Sequence, residues 1–208
     1  MKEPRYSRVA GEGIPILLLA AIATALCSYY AGWIAALPPA SITVALYYLF
    51  RDPNRAIPTH PLAAVSPVDG VVVEITMTDN SVTGAAAHKI ILRVDSLGAY
   101  TARSPVEGTI LDPHGKPLGP DAALQHPGLW IRTDEGDDVL LRFHGYRFGL
   151  VPHAFSRYGD RVGQGQRCAY LRLTRFAEVY LPINSRVQVV AGQRVNAGSD
   201  ILGTLPHP

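Results

Sequence analysis

Apolar and polar residues alternate along this chain in two different ways. Between Gly13 and Phe50 there is no charged side chain at all. One bilayer-spanning helix takes about 20 apolar residues, so this run is too long for one span and suits two short ones. Ala31-Gly32-Trp33 and Pro38-Pro39 are the places to turn. The pattern therefore predicts a helical hairpin over about 14–31 and about 34–50. Arg51-Asp52-Pro53-Asn54-Arg55-Ala56-Ile57-Pro58 follows, charged and broken by prolines that resist continuation of a helix, and reads as a linker. From about Ala64 the period shortens to two. Strands are expected over Gly70–Thr76, His88–Val94, Gly108–Leu111, Leu129–Thr133, Val139–Phe143, Cys168–Leu173, Val179–Leu181 and Arg186–Val190. Short strands at this spacing, among seventeen prolines and nineteen glycines, point to a small closed β structure, a barrel or sandwich. The expected organisation is a tail over 1–12, a membrane hairpin over 13–50, a linker over 51–63 and a β domain over 64–208.

Charge refines the reading of the hairpin. Lys2, Arg5 and Arg8 flank one end, and Arg51 and Arg55 the other. Positive charge on both flanks puts both ends, and with them the β domain, on the cytoplasmic side of the cell membrane. Tyr29, Tyr30 and Trp33 suit one membrane interface, Tyr47 and Tyr48 the other. A cleaved signal peptide would have a shorter apolar core than this one, and a soluble buried helix pair is the other competing reading.

The formal net charge of +2 is too small to argue for nucleic acid, and no nucleic-acid partner is expected. Lys2, Lys89 and Lys116 are the only lysines among nineteen basic residues. The arginines suit bidentate pairing with anions, and Arg142, Arg147 and Arg157 are candidates for lipid phosphate against a plainer solvated role. Cys27 and Cys168 have no metal-ligand spacing and read as reduced, structural residues. His60, His88, His114, His126, His144, His153 and His207 stand singly, so no metal site is expected.

Two pairs of segments echo each other. Ser66-Pro-Val-Asp-Gly-Val-Val72 resembles Ser104-Pro-Val-Glu-Gly-Thr-Ile110, and Gly159-Asp-Arg-Val-Gly-Gln-Gly165 resembles Ala191-Gly-Gln-Arg-Val-Asn-Ala-Gly198. Glycines beside short strands are expected to make tight reversals. The pattern looks like the barrel-sandwich hybrid of biotinyl and lipoyl carriers, but no lysine sits at a carrier-like hairpin tip.

Several motifs in order resemble the short, membrane-anchored type of phosphatidylserine decarboxylase. They are Arg51-Asp52-Pro53-x-Arg55-x-Ile57-Pro58 after the apolar run, Ser66-Pro67-Val68-Asp69-Gly70, Arg103-x-Pro105-Val106-x-Gly108, Gly159-Asp160-Arg161-Val162-x-x-Gly165-Gln166-Arg167, Glu178-Val179-Tyr180-Leu181-Pro182 and Gly192-Gln193-x-Val195-x-Ala197-Gly198. The resemblance covers nearly the whole chain. It implies a mainly β, barrel-sandwich-hybrid-like domain behind a transmembrane hairpin. It also implies removal of the serine carboxylate of phosphatidylserine through a pyruvoyl group, which the family makes by self-cleavage at a Gly-Ser pair.

The resemblance carries over residue by residue with departures. Asp69 stands at the family's assisting Asp, and an Asx-type turn explains Asp-Gly as well. The family's Asp-Val-His falls on Gly98-Ala99-Tyr100, leaving Tyr100 to bind substrate or to pack; Arg103 falls on the motif arginine and is a second substrate-binding candidate. Counting back from Tyr180-Leu181-Pro182 without gaps puts Thr174 and Arg175 at the Gly and Ser, so no pyruvoyl cofactor is expected. A one-residue bulge would put Thr174 at the serine instead, where its hydroxyl would yield a 2-ketobutyryl group. Asn184-Ser185-Arg186-Val187 mimics the cleavage motif from the wrong side of Tyr180.

Three readings stay open at this point. One is a catalytically inactive relative that binds membrane phospholipid or a protein partner, with a homo-oligomer conceivable. Another is an active carboxy-lyase processed at Thr174 or Ser185. The last is a non-lipid, membrane-anchored β adaptor.

Overall fold

The computed structural model describes residues 9–60, 62–79, 84–96, 98–112, 128–146 and 149–206. Lys2, Arg5, Arg8, His114, Lys116, His126, Arg147 and His207 lie outside the described residues. The chain divides into two compact units between Asn54 and Arg55.

In the first unit, α1 (Ile14–Ala31) and α2 (Leu37–Phe50) form the expected apolar hairpin. Gly32 adopts φ +88, a left-handed conformation that stops α1 without the steric cost another residue would meet. The residues 33–36 make the turn, so α2 starts at Leu37, three residues later than expected, with prolines in its first turn where missing N–H groups cost nothing. No residue of α1 is buried. Leu17, Ala20, Thr24 and Cys27 form a half-buried stripe, while the rest of the helix is apolar and exposed, a pattern that suits membrane anchoring. At 1.5 Å per residue, the 18 residues of α1 rise roughly 27 Å, about the thickness of a bilayer core. Among the described residues α1 alone is long and apolar enough to cross a membrane; α2, with 14 residues, is shorter. Thr24 and Thr43 meet across the hairpin at 3.1 Å, and each hydroxyl also reaches a carbonyl four residues back, on Ala20 and Pro39. These two hydroxyls are thus satisfied inside the helix pair. At the open end Ala10 N–H donates to Phe50 C=O at 2.8 Å. A Cβ on Gly13 would come within 2.2 Å of the Phe50 ring, so glycine there lets the two ends close.

The second unit is mainly β. In chain order its strands are β1 (Ala63–Val65), β2 (Gly70–Asp79), β3 (Ala86–Val94), β4 (Thr101–Arg103), β5 (Gly108–Asp112), β6 (Gly128–Arg132) and β7 (Asp138–Tyr146). They are followed by β8 (His153–Ala154), β9 (Arg161–Val162), β10 (Arg167–Tyr170), β11 (Thr174–Pro182), β12 (Arg186–Val187), β13 (Arg194–Val195) and β14 (Ile201–Thr204). An eight-stranded sheet, ordered β13-β2-β3-β11-β7-β6-β5-β9, curls into a half-barrel; two three-stranded sheets, β1-β14-β12 and β4-β10-β8, complete the unit. Among the described residues these strands pair antiparallel. Ile90, Leu92, Leu141, Phe143, Val179 and Leu181 are fully enclosed along the concave side. On the other face of the same strands Tyr180 packs with Ala87, Leu140 and Trp130. With both faces covered, β11 buries Ala177 to Leu181 without alternation.

The sequence echoes are structural repeats. Ser66 Oγ donates to Val68 C=O, and Ser104 Oγ to Val106 C=O, at 2.8 and 2.7 Å. β13 pairs with the start of β2, and β9 with the start of β5, placing Arg194 opposite Val71 and Arg161 opposite Thr109. Gly70 and Gly108 do not make the expected reversals. Each opens a strand at a crossing where a Cβ would lie 2.1 or 2.2 Å from the carbonyl oxygen of Arg93 or Arg132. Gly70→Ala is therefore expected to force β2 and β3 apart and lower stability by roughly 1–3 kcal/mol. An unchanged midpoint in denaturant unfolding would contradict that close approach.

The strand expected over Cys168–Leu173 ends early, at Tyr170, and β11 begins at Thr174. Between them Arg172 (φ 45) and Leu173 (φ 66) are left-handed, which no non-glycine residue adopts freely.

Candidate functional site

That reversal builds a pocket. Leu171 N–H donates to Tyr100 C=O at 2.8 Å, tying the turn to the segment before β4. Thr174 N–H donates back to Leu171 C=O at 3.0 Å, and its hydroxyl donates to the same oxygen. A cavity of about 190 Å³ lies alongside, walled by Arg93, Ser96, Tyr100, Leu173, Thr174 and Arg175. Of the residues singled out from the sequence, Tyr100, Thr174 and Arg175 thus come together. Tyr100 is 7% exposed, and its hydroxyl donates to Ser96 C=O at 3.1 Å. Arg93 and Ser96 were not flagged from the sequence, because an arginine on the outer face of a strand reads as solvated.

Asp69 lies outside this wall and is a clamp. Its Oδ2 accepts from Arg55 at 2.8 Å and from Ala99 N–H at 3.2 Å, and its Oδ1 accepts from Ala197 N–H at 2.8 Å. One buried carboxylate thus joins the linker, the 98–99 segment and the turn before β14. Gly98 presses against it: a Cβ there would come within 2.8 Å of the Asp69 Cβ. Arg103 is 2% exposed and donates to Gly165 C=O at 3.1 Å. It is a buried strut and does not line the Tyr100 pocket.

The pairings of β11 run in unbroken register from Thr174 opposite Tyr146 to Pro182 opposite Ala87, so the strand has no bulge. Arg175 follows Thr174 directly in this regular strand. Ser185 is buried in the turn after β11, and its Oγ has no hydrogen-bond partner among the described residues. The nine residues of β11 separate it from Tyr100's pocket by roughly 30 Å at about 3.3 Å per residue.

A second polar group sits on the outer face of the sheet. Lys89 Nζ lies 2.7 Å from Glu178 Oε1, Tyr180 donates to Oε2 at 2.9 Å, and His144 Nδ1 is 3.7 Å from Oε1. Burial pushes Glu178 up, but the Lys89 hydrogen bond and charge, the Tyr180 hydroxyl and His144 outweigh it and hold the carboxyl below 4.5. Burial likewise works to lower Lys89, and Glu178 outweighs it, leaving the amine above 10.5. A depressed carboxyl stabilises the fold fully above its unfolded value, and that share is lost as pH falls through the folded one. The Lys89 share holds below 10.5 and is lost as pH rises through its folded value. Glu178→Gln is therefore expected to flatten the loss of stability below about pH 4.5, read as the urea midpoint against pH. An unaltered acid limb would count against the pairing.

Burial pushes the Cys168 thiol up to about 12, so it is inert at neutral pH. Arg157 lines a larger, mostly apolar cavity of about 390 Å³ with Val151, Pro152 and Tyr158. Arg142 is buried on the sheet. Among the described residues no group of three or more His, Cys, Asp or Glu is placed to hold a metal.

No family model matches the chain. Curated relatives align along nearly all of it. The phosphatidylserine decarboxylase proenzyme of Nitrosomonas eutropha is 32% identical over 204 residues, 93% of this chain and 94% of the relative. That of Nitrosomonas europaea is 31% identical over 97% of this chain and 98% of its own, and that of Burkholderia ambifaria 31% identical over 95% and 96%. Among solved structures, glucose permease IIA from Mycoplasma capricolum is similar at a TM-score of 0.44 and 17% identity, over 68% of this chain and 94% of that one. That likeness is too slight to carry a conclusion.

Proposed function

The chain belongs to the phosphatidylserine decarboxylase family, and from that premise we propose that it is a membrane-anchored, lipid-binding member that forms no pyruvoyl group. The observation that carries this is Arg175. The unbroken register of β11 supports the gap-free count that puts a guanidinium where the family has its serine. A guanidinium offers donors only, with no hydroxyl to attack a carbonyl. The residues around it do not fit the group: Tyr100 stands for the assisting histidine, with a reference pKa near 10 against about 6.5, and its hydroxyl is already given to Ser96 C=O. Asp69 spends its carboxylate on three hydrogen bonds. The positive flanks of the hairpin favour a β domain on the cytoplasmic side. Its partners in this reading are membrane phospholipid and, for a regulatory role, a second copy or another membrane protein.

One observation favours a second reading. The left-handed Arg172 and Leu173 directly precede Thr174, and such residues store about 1–3 kcal/mol each. That strain lies beside the peptide bond a Thr174 hydroxyl would attack. The full-length protein in detergent micelles containing phosphatidylserine separates the two. The proposal expects no phosphatidylethanolamine and no carbon dioxide; sustained formation of both would restore an enzyme.

A further inference from the structure

Arg175 is more than a lost serine. It faces the cavity at the end of β11, and Arg93 approaches the same cavity from β3. Val94 and Phe176 provide its apolar floor, and Ser96 adds a hydroxyl. Among the described residues neither guanidinium meets a carboxylate or another side-chain partner. Three other exposed arginines of this unit meet carboxylates, Arg132 with Asp138, Arg161 with Glu107 and Asp134, and Arg194 with Asp95, whereas Arg157, Arg172 and Arg186 meet none among the described residues; what sets Arg93 and Arg175 apart is that they share one cavity. Two uncommitted guanidiniums at one small cavity form a site of unbalanced positive charge, and the planar fork of arginine matches tetrahedral oxyanions bidentately. The hydroxyls of Tyr100 and Thr174 donate inward to backbone carbonyls, so arginine supplies the main free donors.

We infer that this pocket binds a phosphate group, held between Arg93 and Arg175 with Ser96 as a further donor. The inference rests on the non-processing reading, because it needs Arg175 to remain a side chain in an intact strand. It gives the substitution at position 175 a positive role, exchanging a reactive position for an anion ligand. The phosphate is that of a phospholipid headgroup or free phosphate, and the chemistry of the pocket is the same for both.

The test uses the intact full-length protein in a neutral detergent, titrated with inorganic phosphate in one arm. The other arm uses the same micelles carrying phosphatidylglycerol, followed by calorimetry. Arg175→Gln and Arg93→Gln are each expected to weaken binding tenfold or more. Arg175→Lys, which keeps the charge but loses the fork, is expected to fall between. Arg186→Gln, which removes an exposed arginine on β12, controls for net charge and is expected to stay within about twofold. Binding in the lipid arm alone assigns the phosphate to a headgroup; binding in the phosphate arm alone assigns it to the free anion. Wild-type protein that binds neither, or glutamine variants that bind as wild type does, would overturn the inference. The mass of each sample reports self-cleavage separately, so an intact chain that binds no phosphate would sink this inference alone.

Discussion

Asp69→Ala is expected to cost the β domain about 3 kcal/mol, since it leaves buried donors without an acceptor. Two of those donors, Ala99 N–H and Ala197 N–H, are backbone groups that no rotamer change can redirect. The third, Arg55, retains partial exposure at 22% and recovers water, so its share is the smallest. Asp69→Asn is expected to fare little better. Its oxygen keeps Ala197, but its amide then points N–H groups at Ala99 and Arg55. Denaturant midpoints of the three proteins check this, with both variants well below wild type. A midpoint for Asp69→Ala within about 0.5 kcal/mol of wild type would mean that the carboxylate is not a clamp.

Combining Thr174→Gly, Arg175→Ser and Tyr100→His is expected to turn an intact chain into a self-cleaving one. The three changes supply the residue types that the proposed alignment places at those positions, on a strand whose register is already regular. The strained turn at Leu173 stays in place, and histidine supplies a base suited to neutral pH. Gly98 is left alone, because a side chain there would strike Asp69. The readout is a denaturing gel: two fragments meeting at residues 174 and 175 against a single band for wild type. Arg175→Ser alone is expected to cleave far less, since Tyr100 remains a poor base. A triple variant that stays whole would show that the missing reactivity has causes beyond these three positions.

The large features were legible because they rest on local chemistry. An uncharged run of that length announces an apolar helical hairpin, and the long strands show their two-residue period. The turn at 171–173 was hidden because Leu171, Arg172 and Leu173 are not turn formers, and the apolar pattern continues straight through them. Strands such as β8, β9, β12 and β13 have two residues each, too few for any period to show. The role of Asp69 was ambiguous for a different reason: its partners lie 14, 30 and 128 residues away. An Asp-Gly pair read locally is a turn, and only tertiary contact makes it a clamp. Arg175 stands out in the sequence against the motif that the resemblance implies, whereas Arg93 becomes visible only when β3 and β11 are paired.

The central claim is that this family member does not process itself, and the intact mass of the purified full-length chain tests it most directly. The account predicts one species at 22.4 kDa. Two fragments meeting at Leu173 and Thr174, or at Asn184 and Ser185, with a keto-acyl group on the smaller, would contradict it.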